Sequence, residues 1–170
     1  MNIIVRSAKS EDIPELVAVQ KQAWLDAYPN KEYGITKEDV LSKDFDSEEK
    51  IRARQDSLSI KSSRVSYVAV TEDRVVGFAG GYKHEDRNEL SAIYVHPEFY
   101  RFGIGKKLAE AIFEDLGKNT LWEVRIAQYN KQAIKFYKSL GFRLVGQIED
   151  YILPNGKAMP LINMIKTTDD

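Results

Sequence analysis

Hydrophobic positions near the start of the chain recur at the spacing of an amphipathic helix. Apolar residues return every three or four positions after Ser10, which keeps them on one helix face, and Ser10 and Pro14 supply start signals. The helix is expected to end near Tyr28. Its periodic positions are Ile13, Leu16, Val17, Gln20, Ala23, Trp24 and Ala27. The other elements predicted in this part are a strand at 3–6, helices at 36–43 and 47–57, and a polar linker at 61–63.

The rest of the chain switches between strand-like and helix-like patterns. Two alternating segments around the turn 72–74 predict a β-hairpin, and the pair Gly80 and Gly81 predicts a bulge or a close backbone approach in its second strand. The predicted strands are 66–71, 75–82, 90–95, one beginning at 122, 143–152 and 158–165, and the predicted helices end near 116 and span 131–140. The order β-α-α-α-β-β-β-α-β-α-β-β favours an α/β fold, a mixed central sheet with helices on both faces.

Composition narrows the class of protein. A chain of 170 residues, 43% hydrophobic and 30% charged, suits one globular domain spanning 1–170 with its core at about 3–166. A net charge of −1 gives no reason to expect nucleic-acid binding. No signal-peptide pattern or bilayer-length apolar run is present, so a cytoplasmic protein without a membrane partner is expected. The end of the chain, 167–170, is expected to be frayed.

The absence of cysteine and the small number of histidines exclude several kinds of covalent and metal site. The chain has no cysteine, which rules out disulfides, cysteine-ligated zinc and a cysteine acyl-enzyme. It has only two histidines, so no metal site is expected. Any acyl transfer is therefore expected to be direct.

A glycine-marked turn joins the strand at 90–95 to the helix that follows. Gly103 and Gly105 remove side chains where the backbone must approach another group, and the unpaired N–H groups of a helix start favour a phosphate there. The turn is not a Walker loop, because Tyr100 stands where its first glycine belongs, and not a dinucleotide fingerprint, because Leu108 replaces the third glycine. The glycine pair alone also fits a tight strand-to-helix connection.

Two segments together resemble the signatures of the GNAT acetyltransferase superfamily. Residues 100–105 are similar to its coenzyme A loop, Gln/Arg-x-x-Gly-x-Gly/Ala, and residues 130–142 read Asn-Lys-Gln-Ala-Ile-Lys-Phe-Tyr-Lys-Ser-Leu-Gly-Phe, similar to its second signature. Tyr100 stands at the Gln/Arg position, so altered side-chain contacts around the pyrophosphate are expected. The resemblance covers residues 3 to about 166 and implies a mainly antiparallel mixed sheet of about seven strands.

The resemblance also implies direct transfer of an acetyl group from acetyl-CoA to a primary amine, without a metal. The implied coenzyme contacts are Ile93, Tyr94, Val95, Arg101, Phe102, Gly103, Ile104, Gly105, Lys106 and Asn130. Tyr137 matches the tyrosine that protonates the departing thiolate, and Glu89 stands where many members place a base that acts directly or through water. Tyr137 could instead be one more aromatic on a helix face, and Glu89 a solvated charge.

The acceptor amine is expected between the first helices and the closing hairpin. Candidate wall residues are Trp24, Tyr28, Tyr82 and Tyr151, although Trp24 at its helical spacing is more often a core residue. The acidic Glu85, Asp86 and Glu89 would attract a cation, and residues 23–28 resemble a subgroup that includes polyamine acetyltransferases. A small-molecule amine such as a polyamine is the expected substrate of a monomer or homodimer. The alternatives are acetylation of protein amino termini, of the ribosomal-protein type, and a non-catalytic coenzyme A-binding module.

Overall fold

The structure, a computed structural model, describes residues 2–59, 63–118 and 120–167. Positions 61–62 of the predicted linker and 168–170 of the predicted frayed end lie outside them. The strands are β1 (Ile4–Ser7), β2 (Arg64–Thr71), β3 (Arg74–Lys83), β4 (Asn88–Val95), β5 (Trp122–Ala127), β6 (Arg143–Ile152) and β7 (Ala158–Lys166). The helices are α1 (Ile13–Ala27), α2 (Lys37–Leu41), α3 (Glu48–Ser59), α4 (Ile104–Leu116) and α5 (Lys131–Ser139), with 3-10 turns at Ser10–Asp12 and Pro97–Phe99.

The strands form one mixed sheet in the order β1-β2-β3-β4-β5-β7-β6. Every neighbouring pair is antiparallel except β4 and β5, which run parallel. The predicted order of elements and the mainly antiparallel mixed sheet are confirmed. No helix in the described ranges is long and apolar enough to cross a membrane.

The parallel pair at the centre of the sheet separates part of the way along. Pairing joins residues 88–90 of β4 to residues 122–124 of β5, but β4 continues to Val95 and β5 to Ala127. Beyond Leu90 the two strands therefore diverge, and the edge of β4 that faces β5 is left without a neighbouring strand. This divergence creates the cleft described below.

Two predicted local features of β2 and β3 are confirmed. Glu72 and Asp73 both have positive φ, 50° and 59°, the backbone of a two-residue hairpin turn that matches the twist of its strands. The register of β3 against β4 shifts between Gly80 and Gly81, which is the predicted bulge. A Cβ at Gly81 would lie 2.8 Å from Cγ2 of Ile112, so α4 packs tightly on the bulge.

The sheet separates two layers of core because side chains alternate between its faces. On one face Ala69 and Ala79 pack under α4, where the largest buried side chains include Leu108 and Ile112. On the other face Val68 and Phe78 pack against α1 and the segment after α2; this cluster also contains Val17, Trp24, Val40 and Phe45. The expected apolar face of α1 is thus the face that covers the sheet.

Candidate active site

A cavity of about 630 Å³ lies where β4 and β5 diverge. Both strands line it, together with the turn before α4, the first turns of α5 and the last turn of α1. The diverging strands make one side with exposed backbone, and the two helix starts make the other. The cavity therefore has an extended cleft along the strands on one side and helix N-termini, which are rich in N–H groups, on the other.

The turn before α4 has the backbone of a close approach to a ligand. Arg101 and Gly103 both have positive φ, 68° and 74°, and Gly103 is the N-cap of α4. A Cβ on Gly105 would lie 3.2 Å from the ring of Phe136, so glycine is needed here to let α4 and α5 approach. The first turn of α4 holds no acidic residue, and Lys106 lines the cavity. These features suit an anionic group such as a diphosphate.

Nearly all of the coenzyme contacts expected from the sequence lie along this cavity. Lining residues include Ile93, Tyr94, Val95, Arg101, Gly103, Ile104, Gly105, Lys106 and Asn130. Phe102 is not a lining residue, and 56% of its surface is exposed. Asn130 uses its side-chain oxygen to cap α5, accepting a hydrogen bond from the N–H of Ala133 at 3.0 Å, so its NH₂ group remains for a ligand.

Tyr137 lies on α5, packs its ring in the core and is one of the residues that line the cavity. The residue is only 6% exposed, and its ring packs edge-on against Phe136 and Phe142, with centroids 5.1 and 5.6 Å apart. In the described part of the chain its hydroxyl makes no hydrogen bond. Burial, with a smaller effect of Tyr94, raises the pKa of Tyr137 well above its ordinary value. The phenol is therefore protonated at neutral pH and can donate.

Glu89 does not line the cavity and is held by two basic groups. Nη2 of Arg125 donates to Glu89 Oε1 at 2.8 Å, and Nε2 of His84 lies 3.2 Å from Oε2. Burial alone would raise the pKa of Glu89, but the hydrogen bonds and charges of Arg125 and His84 outweigh it, so the pKa lies below its usual value. Arg125 does line the cavity. Glu89 is therefore connected to the cavity by its hydrogen bond with Arg125, and its carboxylate is ionised.

Three tyrosines, Tyr28 after α1, Tyr94 on β4 and Tyr129 after β5, lie together at the end of the cavity next to α1. The hydroxyl oxygens of Tyr28 and Tyr94 lie 3.4 Å apart, and the hydroxyl of Tyr129 donates to the carbonyl of Tyr28 at 2.8 Å. Burial raises the pKa of all three, that of Tyr129 to about 12. At neutral pH each is a neutral hydroxyl. The cluster therefore offers hydrogen bonds without a charge of its own.

The four expected acceptor-wall residues have different surroundings. Tyr28 lines the cavity, whereas Trp24, Tyr82 and Tyr151 are not among the lining residues. Trp24 is 6% exposed and packs edge-on against Tyr28, with centroids 4.6 Å apart. Tyr82 lies under the guanidinium of Arg64. Trp24 therefore stands one layer behind the cavity.

Two cavity residues have no marked signal in the sequence. Asp26, in the last turn of α1, accepts a hydrogen bond from the hydroxyl of Tyr100 at 3.1 Å, which ties the glycine turn to α1. Burial, with the charge of Asp26, raises the pKa of Tyr100. Tyr129 belongs to the alternating stretch before Asn130, and only its position after β5 could have suggested a role. Tyr100, at the position where the family signature has Gln or Arg, contacts α1 instead.

A model of a known protein family matches most of the chain. The model of the Acetyltransferase (GNAT) family matches residues 21–142. The chain belongs to this family. The family resemblance predicted from the two signatures is confirmed.

The curated relatives differ in the acceptors that their names give. The peptidyl-lysine N-acetyltransferase YjaB of Escherichia coli strain K12 is 28% identical over 165 residues, covering 96% of this chain and 97% of that protein. The N-acetylaspartate synthetase of Danio rerio is 37% identical over 99 residues, 56% of this chain. The chain covers only 35% of that synthetase and 63% of the Salmonella typhimurium YjaB, which is 36% identical over 101 residues.

Solved structures share the fold. An N-acetyltransferase from Staphylococcus aureus Mu50 superposes with a TM-score of 0.77 at 18% identity, covering 99% of both chains. The PaiA N-acetyltransferase of Thermoplasma acidophilum, solved in complex with coenzyme A, gives a TM-score of 0.74 at 22% identity and covers 98% of this chain and 99% of that one. At these identities the likeness concerns the fold alone.

Proposed function

We propose that the protein transfers the acetyl group of acetyl-CoA directly to the primary amine of a small molecule in the cytoplasm. The observation that carries this proposal is the cleft between β4 and β5, which places an unpaired strand edge, the glycine turn and the Tyr137 hydroxyl around one cavity. Acetyl-CoA, when bound, supplies the activated acetyl group as a thioester.

The chain offers matching groups for each part of this coenzyme. The unpaired edge of β4 at Ile93 and Val95 presents N–H and C=O groups that would bond the pantetheine amides. The N–H groups of the turn from Arg101 to Lys106 would hold the pyrophosphate. The NH₂ group of Asn130 would contact the arm from the opposite side. Because Gly105 is needed for the close packing of α5, the same residue fixes Tyr137 relative to the turn.

Transfer requires two proton movements, and the chain has a candidate for each. A primary amine has a pKa of about 10 and must lose a proton before attack, whereas the departing thiolate gains from a nearby donor. Tyr137 is protonated at neutral pH and would donate to the sulfur. Glu89 is ionised but weakly basic because Arg125 and His84 hold it, so we expect it to accept the amine proton through water.

Among small amines the sequence favours a polyamine. The acids expected to attract its ammonium groups are Glu85, Asp86 and Glu89. Two of them pair with cations of the chain: Glu89 with Arg125, and Asp86 with Arg87 at 3.0 Å. The alternative acceptor is a protein amine, which is supported by relatives named for peptidyl-lysine and for the alanine of ribosomal protein bS18. The cavity is common to both possibilities.

Calorimetry with coenzyme A, followed by a thiol-release assay with acetyl-CoA, tests the proposal. The acceptor panel contains spermidine, spermine, amino acids, aminoglycosides and amino-terminal peptides. Coenzyme A binding with release of thiol on a small amine is the expected result. Activity confined to peptides would move the acceptor to proteins, and a folded protein without affinity for coenzyme A would refute the proposal.

A further inference from the structure

We propose that Asp26 is a positioning residue for the coenzyme: through the side chain of Tyr100 it holds the turn before α4 in its binding conformation. This inference rests on the proposed function, because the turn from Arg101 to Lys106 is the expected diphosphate site. It gives a role to the residue that stands where the family signature has Gln or Arg. At that position this chain has a side chain that reaches α1.

Backbone hydrogen bonds stop at the two edges of this turn. The N–H of Tyr100 donates back into the preceding 3-10 turn at 3.2 Å, and the N–H of Lys107 donates to the carbonyl of Gly103 at 3.1 Å. In the described ranges no backbone hydrogen bond is donated by residues 101–106. Arg101 has a φ of 68°, a left-handed backbone that costs a non-glycine residue free energy and persists only where the surroundings hold it. The turn therefore needs a contact from another part of the chain.

The side chain of Tyr100 supplies such a contact. Its hydroxyl donates to Oδ2 of Asp26 at 3.1 Å and joins positions that lie 74 residues apart in the chain. Burial, with the charge of Asp26, raises the pKa of Tyr100, so the phenol stays protonated and is the donor. Both residues line the cavity. The hydrogen bond therefore fixes the residue that directly precedes Arg101.

The negative charge of Asp26 is unexpected in a cavity that would hold a diphosphate. Among the described residues that line the cavity, Asp26 is the only one with a carboxylate. The basic lining residues are Arg101, Lys106, Arg125 and Lys131. Because like charges repel, repulsion alone predicts that Asp26 weakens coenzyme binding. Anchoring of the turn predicts that Asp26 strengthens it, so the two explanations differ in sign.

The end of α1 is itself fixed to the other elements of the expected coenzyme site. Tyr28 follows Asp26 by two residues, and its hydroxyl oxygen lies 3.4 Å from that of Tyr94 on β4. The carbonyl of Tyr28 accepts a hydrogen bond at 2.8 Å from the hydroxyl of Tyr129, which lies between β5 and α5. One short segment of α1 therefore contacts the turn, the unpaired strand β4 and the connection to α5, and it can hold all three in one arrangement.

Calorimetry with coenzyme A separates anchoring from charge. Asp26→Ala removes both the charge and the hydrogen-bond acceptor, and we expect the dissociation constant to rise about fivefold to tenfold, as for the loss of one hydrogen bond. Asp26→Asn removes the charge but keeps an oxygen that can accept from Tyr100, so we expect its affinity to equal that of the wild type or to be higher. Repulsion alone predicts instead that both variants bind coenzyme A more tightly.

Tyr100→Phe removes the donor of the same hydrogen bond, and we expect it to weaken coenzyme A binding by the same factor. The double variant with Asp26→Ala should bind no more weakly than either single variant, because all three lack one and the same interaction. Tyr67→Phe is the matched control: it also loses a hydrogen bond to an aspartate, Asp115 at 2.9 Å, and neither residue is among those that line the cavity. Its affinity for coenzyme A should equal that of the wild type.

The outcomes distinguish this inference from the proposed function. If the folded wild type does not bind coenzyme A, both are refuted together. If it does bind, an unchanged affinity of Tyr100→Phe, or tighter binding by Asp26→Ala, overturns the anchor alone. Thermal melts check that each variant is folded, and Tyr100→Phe decides if Asp26→Ala is unstable. Thiol release adds a second readout: because the anchor acts at the diphosphate, Tyr100→Phe should raise KM for acetyl-CoA and leave kcat within about twofold, and a lower kcat with an unchanged dissociation constant overturns the anchor.

Discussion

Replacing Tyr137 by Phe removes one oxygen atom from the place where we expect the thiolate to leave. The ring packs against Phe136 and Phe142, and phenylalanine keeps those contacts. The hydroxyl makes no hydrogen bond in the described part of the chain, so its loss leaves no internal partner unpaired. We therefore expect a thermal midpoint that is unchanged or slightly higher.

The effect on turnover is expected to be much larger. A positioned general acid typically contributes about 10²- to 10⁴-fold to a rate, which is about 2.7 to 5.4 kcal/mol of activation free energy. Because burial raises the pKa of Tyr137, the wild-type phenol is protonated throughout the neutral range, and its own titration should not limit the rate below about pH 10. We expect kcat of Tyr137→Phe to fall at least about a hundredfold.

Thiol release at saturating acetyl-CoA and acceptor measures kcat, and calorimetry measures coenzyme A binding. The dissociation constant for coenzyme A should stay within about twofold, since the backbone of the turn and of β4 provides most of the expected contacts. Tyr67→Phe is the matched control, because the hydroxyl of Tyr67 donates to Asp115 on the far side of α4. An unchanged kcat in a well-folded Tyr137→Phe protein would refute the assignment of Tyr137 as the acid.

Three further changes test the base, the turn and the fold. Glu89→Gln should lower kcat/KM and alter its pH dependence. Because the pKa of Glu89 lies below its usual value, the wild-type carboxylate stays ionised down to about pH 4. An unaltered pH profile would mean that another group accepts the proton of the amine. Gly105→Ala should weaken coenzyme A binding about tenfold in calorimetry, because its Cβ would stand 3.2 Å from Phe136; an unchanged affinity would contradict this. Asp12→Asn should cost about 2 kcal/mol in urea unfolding at pH 7, since the carboxylate accepts from both terminal nitrogens of Arg6 at 2.7 and 2.8 Å. The hydrogen bond of Arg6 lowers the pKa of Asp12 in the folded protein. The stabilisation by the Asp12 carboxylate is therefore complete above about pH 4 and is lost as the pH falls through the lower pKa of the folded state. The difference in unfolding free energy between the wild type and Asp12→Asn should shrink at about pH 3.

Features that depend on neighbouring residues could be predicted well. The apolar spacing of α1, the glycine bulge in β3 and the turn at Glu72 and Asp73 are set within a few residues of chain. The glycine-marked turn between β4 and α4 is local in the same way, and the structure adds that Gly103 has a positive φ of 74°. The element bounds shifted by only a few residues, as at α1, which a 3-10 turn at Ser10–Asp12 precedes.

The sequence alone determined the order of the elements and the glycine turn before α4, because both follow from local spacing, and the family resemblance placed Tyr137 in the second signature. The tertiary structure decided where β4 and β5 part, that Arg125 holds Glu89, and that Lys43 lies against Tyr151, 108 positions away in the chain. Such contacts depend on how whole elements pack. The periodicity of α1 places Trp24 on the buried face, but only packing determines that its ring lies edge-on against Tyr28 and beneath the ammonium of Lys43.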